Sequence, residues 1–259
     1  MIQYDCHAHV FEQITAVTGT RYAPIAPAPL IQWQQYLDKY QLLGGVIVQA
    51  SFLGTDNSEL CSALQILSPN HFAGVAVVSL DVEENEIERL RAQGVRGFRW
   101  NLVRGGKIPD LKQPVVRLFL ERIFARDMHI EVHLESQRLA PIIEPLLDFG
   151  GNVVIDHLGL PTDQNPKQDP WLQTIKTIRE LSGLYVKFSG AYRTSFDITS
   201  HAFTIAELLN PDHIIWGSDW PHTQHESTTN YKMMAETRND FPLFSDAKSV
   251  KTLYGLGAM

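Results

Sequence analysis

Asp5-Cys6-His7-Ala8-His9-Val10-Phe11, the stretch DCHAHVF at residues 5–11, ends the first apolar run of the chain. Its reading separates two α/β architectures. A doubly wound sheet carries a glycine-rich turn after its first strand, where the backbone approaches a phosphate. Here the first run ends instead in two histidines spaced i, i+2. Side chains two apart on an extended chain point the same way, so His7 and His9 project together and Cys6 alternates away to pack behind the strand. One H-x-H alone is ordinary strand-end chemistry. The rest of the chain decides what it means.

Outward from this stretch, short apolar runs alternate with amphipathic ones. The runs are Ile2–Cys6, Gly45–Gln49, Gly74–Ser79, Val95–Trp100, His129–Leu134, Asn152–Asp156, Leu184–Ser189 and His213–Gly217. Each is bounded by Gly, Pro or polar residues, as buried parallel strands are. Helix-like stretches lie between them. Glu83–Gln93 opens with acids and closes on Arg91 ahead of Gly94, which suits the helix dipole and a C-terminal glycine. Val115–Arg126 places Val115, Leu118, Phe119 and Ile123 on one face. Leu139–Phe149, Trp171–Ser182, Ser200–Leu209 and Asp246–Tyr254 read as helices too. Eight strands alternating with helices predict a distorted (β/α)8 TIM barrel in the α/β class, a single domain over residues 1–259.

Composition narrows the function. The 259 residues carry a formal net charge of −7, which argues against a general nucleic-acid binder and, taken at face value, against an anionic ligand. No apolar run approaches the roughly 20 residues of a membrane helix, and the N-terminus lacks the basic and apolar regions of a signal peptide. Two cysteines, Cys6 and Cys61, make no disulfide framework and point to a reducing cytoplasm.

Barrel active sites sit at the C-terminal ends of the strands. There the fifth run offers His133, the sixth His157 and the eighth Asp219, facing His7 and His9. Titratable groups gathered in a buried mouth need partners, a metal or a catalytic task. Asp219 can take a proton from water as general base. His7, His9 and His157 can donate to a carbonyl oxygen, or bind a metal through neutral nitrogens. His7, His9, His133 and Asp219 form a plausible N/O ligand set for zinc or manganese. Arg99, on the same face as Val95 and Gly97, can clamp a carboxylate, with Arg104 and Arg193 on neighbouring loops. Asp156 reads as pointing outward or orienting a loop. His71, His201 and His213 carry no pattern, and His222 and His225 read as loop histidines near the mouth.

The ordered set DCHAHVF (5–11), RYAP (21–24), VIVQASFLGTDN (46–57), GVRGFRWNLV (94–103), VVIDHLG (153–159), KFSGAYR (187–193) and WGSDWPH (216–222) resembles the amidohydrolase superfamily. Within it, the set is similar to the amidohydrolase 2 branch and its 2-pyrone-4,6-dicarboxylate hydrolase-like lactonases. The resemblance spans nearly the whole chain. It implies a hydrolase opening a carboxylated lactone, resembling a 2-pyrone-dicarboxylate or a muconolactone, in aromatic or sugar-acid catabolism. It places Arg99, Arg104 and Arg193 on anionic groups of the substrate, with Tyr22, Ser51 and Thr55 lining it. On the metal it implies two arrangements. Decarboxylase relatives bind zinc through the first-strand pair, a fifth-strand His and the eighth-strand Asp, whereas pyrone-dicarboxylate hydrolases work without metal. His133 favours the first; no lysine at the fifth-strand tip speaks against a two-metal centre. The rivals are a zinc-dependent decarboxylase, a sugar-lactone hydrolase or isomerase and, outside enzymes, a non-catalytic binding barrel. The expected partner is a small-molecule lactone or carboxylate.

Overall fold

The computed structural model describes residues 2–240 and 246–257. Its strands are β1 (Tyr4–Ala8), β2 (Gly44–Val48), β3 (Phe72–Ala76), β4 (Val95–Asn101), β5 (His129–His133), β6 (Val153–Ile155), β7 (Leu184–Phe188) and β8 (Ile214–Trp216). They form one sheet in sequence order, and every paired neighbour is parallel. The crossovers carry α1 (Leu30–Lys39), α2 (Ser58–Ile66), α3 (Glu84–Ala92), α4 (Pro114–Phe124), α5 (Ser136–Leu147), α6 (Pro170–Ile175) and α7 (Thr199–Leu208). After β8 come α8 (Tyr231–Glu236) and α9 (Ala247–Tyr254). This is the expected distorted barrel. The distortion lies at its seam, where β8 has only three residues. Closure runs past its end, through Asp219 N–H donating to His7 O at 2.8 Å and His9 N–H to Trp220 O at 2.7 Å. Gly217 permits that approach, because a Cβ there would lie 2.5 Å from the His7 Cβ.

The strand period sorts side chains between two cores. Outward-facing Ile47, Ile130, Val132, Val153, Ile155, Val186 and Trp216 pack with the helices. Val46, Val48, Val75, Val154 and Ile215, from strands around the ring, meet in a second cluster that can only be the lumen. Val250, Leu253 and Tyr254 of α9 join that cluster and close the barrel floor. The upper lumen is polar, with Arg99, Glu131, His133 and Lys187 all buried.

Three expectations need correction. Cys6 belongs to the lumen cluster and does not pack behind the strand. Between Asp5 and Ala8, β1 advances three residues while β2 advances two, from Gly45 to Ile47. This bulge breaks the alternation, so Cys6 and His7 both face inward while Asp5 faces out to Trp33. On α4 the buried face is Val116, Phe119, Leu120 and Ile123; Val115 and Leu118 are exposed. The helix predicted over Trp171–Ser182 stops at Ile175. The Thr174 and Thr177 hydroxyls bond the carbonyls of Pro170 and Thr174, drawing off the backbone acceptors of the last turn.

Candidate active site

Two catalytic candidates, His157 and Asp219, stand where a short strand breaks into an unusual turn. After β6 the chain enters a tight turn in which His157 and Leu158 adopt φ of 51° and 56°. Asp219, just beyond β8, has φ of 60°. Non-glycine residues held in this left-handed region concentrate where the fold over-determines a functional geometry. The reading of Asp156 is corrected here. With Val154 in the lumen and Ile155 outside, alternation carries Asp156 inward, and the left-handed turn brings His157 in beside it. Asp156 is fully buried and accepts from Arg99 Nε at 2.8 Å.

The predicted residues meet at one place. The His7 ring centroid lies 5.1 Å from that of His9 and 4.8 Å from that of His157, and His133 lies 4.7 Å from His157. Asp219 Oδ2 accepts from Arg193 Nε at 2.6 Å and from the Tyr192 hydroxyl at 2.7 Å. Its other oxygen, Oδ1, stands 3.8 Å from Nε2 of both His7 and His9 and has no hydrogen-bond partner. Burial by itself would raise the Asp219 pKa. Arg193, with His157 and His7, more than offsets this and holds the carboxyl well below the usual range, so Asp219 is a carboxylate at neutral pH.

Hydrogen bonds fix which histidine nitrogen carries the proton. His9 Nδ1 is 2.7 Å from Val48 O, an acceptor only, so Nδ1 is protonated and Nε2 keeps a lone pair. His133 Nδ1 is 3.1 Å from Arg99 Nη2, a donor only, so Nδ1 accepts and the proton sits on Nε2. His157 Nδ1 pairs with Ser189 Oγ at 2.8 Å. Gly190 leaves room for this, since a Cβ there would fall 2.6 Å from that nitrogen. Burial lowers the pKa of His133 and His157 well below the usual value and takes His9 to about 3. These three rings are neutral at pH 7.

Burial also lowers His222 from 6.5 to about 4. Between these values the unfolded chain takes up a proton that the native state refuses. The stability held above pH 6.5 through His222 is therefore lost as the pH falls toward 4. The melting temperature should drop between pH 7 and 5, and less so in His222→Asn. Identical drops in the two proteins would refute this contribution.

Above these groups opens a cavity of about 180 Å³, lined by His9, His133, Tyr22, Ser51 and four arginines, Arg21, Arg99, Arg104 and Arg193, against one acid, Glu135, with His7, His157 and Asp219 buried beneath the lining. The lining does not include Thr55, which is exposed on the loop after Leu53. Arg99 is held by Asp156 and Arg193 by Asp219, while the guanidiniums of Arg21 and Arg104 form no ion pair among the described residues. Tyr22 donates its hydroxyl to Glu226. His225 lines the cavity; His222 is buried behind Tyr192.

Sequence reasoning missed a buried charge column beneath the cavity. Lys187 Nζ lies 2.6 Å from Glu131 Oε1 and 3.6 Å from Asp156 Oδ1, and the Tyr254 hydroxyl donates to Glu131 at 3.1 Å. The signal was legible in HIEVH at 129–133, where polar residues occupy every second position of an otherwise apolar strand. Tyr192, on Asp219, and Arg21, on the rim, were also not predicted as site residues.

Three side-chain groups are close enough to share a cation: His7–His157–Asp219, His133–Asp156–His157 and His7–Glu131–Asp156. Each already touches a cation of the protein. Arg193 pairs with Asp219, Arg99 with Asp156, and Lys187 with Glu131. In the expected set His7, His9, His133 and Asp219, Nδ1 of His133 is taken by Arg99 and its Nε2 bears a proton where a metal needs a lone pair. The residues present do not fit a divalent ion at that set.

The amidohydrolase family profile matches residues 4–247. The 2-pyrone-4,6-dicarboxylate hydrolase of Comamonas testosteroni is 26% identical over 238 residues, covering 84% of this chain and 76% of the relative. The 4-sulfomuconolactone hydrolase of Hydrogenophaga intermedia is 25% identical over 229 residues, covering 85% and 75%. Among solved structures, a probable 2-pyrone-4,6-dicarboxylic acid hydrolase from Acinetobacter baumannii with citric acid bound superposes with a TM-score of 0.90 at 31% identity, covering 99% of this chain and all of that one. With the strand-end His and Asp cluster in place, the chain belongs to the amidohydrolase family, in its Amidohydro_2 branch.

Proposed function

We propose that this protein hydrolyses a lactone bearing carboxylate groups, by water attack without a divalent metal. One observation carries the reading. Asp219 Oδ1 and the Nε2 atoms of His7, His133 and His157 are all buried without a hydrogen-bond partner. Unpaired buried polar atoms cost free energy, so four of them in one cluster of side chains imply a ligand that satisfies them. A lactone carbonyl with an attacking water does so. Asp219 Oδ1 takes the water proton as the oxygen bonds to the carbonyl carbon. The carbonyl π pair moves to oxygen, where His N–H groups hold it. His9, with its Nε2 lone pair, orients the water. Collapse breaks the ring C–O bond, and the proton on Asp219 passes to the leaving oxygen. One water is consumed, and an open-chain hydroxy or keto acid is released.

The arginines set the substrate class. Four guanidiniums against Glu135, Asp156 and Asp219 leave the mouth with a local excess of positive charge in an acidic protein. A substrate carboxylate that engages Arg193 shares the counter-ion of Asp219 and raises its basicity. The named relatives act on a pyrone dicarboxylate and a sulfomuconolactone, which fits a polyanionic lactone. No helix among the described residues is long and apolar enough to cross a membrane. Two buried free cysteines suit a reducing cytoplasm.

The test is a panel of neutral, mono- and dicarboxylated lactones, run on protein of measured metal content with and without exhaustive chelation. The expected result is turnover of carboxylated lactones, at a rate unchanged within about twofold by chelation. Activity that follows zinc content would overturn the metal-free reading and favour the decarboxylase-like arrangement. Turnover of none would overturn the reaction.

A further inference from the structure

Lys187 is the only fully buried lysine among the described residues. It points inward from β7 and brings Nζ to 2.6 Å from Glu131 Oε1, 3.6 Å from Asp156 Oδ1 and 3.2 Å from His7 Nδ1. These three side chains are themselves one of the groups that could hold a divalent ion. The ammonium therefore stands where such an ion would stand, and two carboxylates hold its charge.

Its contact with His7 has a chemical consequence. An ammonium has three donors and no acceptor, so the lysine donates and Nδ1 accepts. The one proton of a neutral imidazole must then sit on Nε2. Asp156 would impose the opposite arrangement by accepting from Nδ1. Its Oδ1 lies 3.4 Å away, however, and is left without a hydrogen-bond partner. One donor and one carboxylate thus compete for the same ring nitrogen, and the hydrogen bond falls to the lysine.

We infer that Lys187 is a positioning residue: its ammonium holds His7 in the Nε2–H form, so that His7 meets the reacting carbonyl oxygen as a hydrogen-bond donor and not as a metal ligand. Arg99 acts on His133 in the same sense. The inference deepens the lactone reading, but its structural half is measurable in the free protein.

The experiment is nitrogen-15 histidine NMR on the full chain, with the His7 signals assigned by their loss in His7→Gln. In the wild type, His7 should carry its proton on Nε2. In Lys187→Met, which keeps side-chain length and removes the charge, the proton should move to Nδ1 and bond Asp156. For the same variant kcat should fall about a hundredfold with KM changed less than about threefold, the size expected for one lost oxyanion donor. If Lys187→Met does not fold, because Glu131 is left uncompensated, the double variant Lys187→Met/Glu131→Gln removes both charges and serves in its place. A wild-type His7 protonated on Nδ1 would overturn the inference, as would an Nε2–H form that persists in a folded variant. Both outcomes are read without substrate, so they stand apart from any failure of the lactone panel.

Discussion

Asp219→Asn should lower kcat about a thousandfold or more while leaving the barrel folded and the carboxylated ligand bound. The size follows from the chemistry. General base catalysis contributes about 10²- to 10⁴-fold, and an amide has no lone pair basic enough to replace the carboxylate. The retained fold follows from the geometry. Asp219 Oδ2 accepts from Arg193 and Tyr192, and an asparagine oxygen can accept from both, leaving its NH₂ at the position of the free Oδ1. Binding should be kept or improved, because Arg193 loses a competing carboxylate and becomes freer for the ligand. Circular dichroism, a melting curve and calorimetric titration with the product acid separate these effects from turnover. A variant retaining more than a tenth of wild-type kcat would remove Asp219 from the role of base.

The second large effect is on stability. Asp5 is fully buried on the outer side of β1. It accepts from Trp33 Nε1 at 2.9 Å, the Tyr231 hydroxyl at 3.0 Å, and the Ser218 backbone N–H and hydroxyl, both at 2.7 Å. One carboxylate thus ties β1 to α1, to α8 and to the loop that presents Asp219. Burial raises its pKa, while these hydrogen bonds pull it back and stabilise the charged form. Asp5→Ala would strand several buried donors at once. We expect a loss of about 4 kcal/mol and a melting temperature lower by roughly 10 °C. Asp5→Asn, which keeps one acceptor, should fall between the two. Turnover should decline in Asp5→Ala even below its melting temperature, because Ser218 no longer anchors its neighbour. A melting temperature within about 2 °C of wild type would show that the network carries little.

The rim resolves an apparent conflict. A net charge of −7 made an anionic ligand look unfavourable. Net charge is a whole-surface quantity, whereas a ligand in a cleft feels the nearest groups. The guanidiniums of Arg21 and Arg104 form no ion pair among the described residues, and Arg99 and Arg193 line the same cavity. The acidic balance still argues against nucleic acid. It does not argue against a polycarboxylate.

The sequence by itself determined the alternation of strands and helices, and with it the strand-end positions of His7, His9, His133, His157 and Asp219. Both are local properties. The hydrophobic period reports secondary structure within a few residues, and strand order then sets which ends share a mouth. Only the tertiary structure decided the rest. The bulge in β1 turned Cys6 inward beside His7, and the left-handed turn after β6 brought His157 into the lumen beside Asp156. Neither breaks the apolar pattern, so neither shows in the period. The protonation of the histidines was further still from local reading. It depends on Val48 O at His9, Arg99 at His133 and Lys187 at His7, partners 34 to 180 positions away along the chain. A hydrogen bond depends on tenths of an ångström between atoms that only the closed barrel brings together. Residue types can therefore mark the strand ends that carry chemistry, while three-dimensional packing decides whether a histidine there presents a proton or a lone pair.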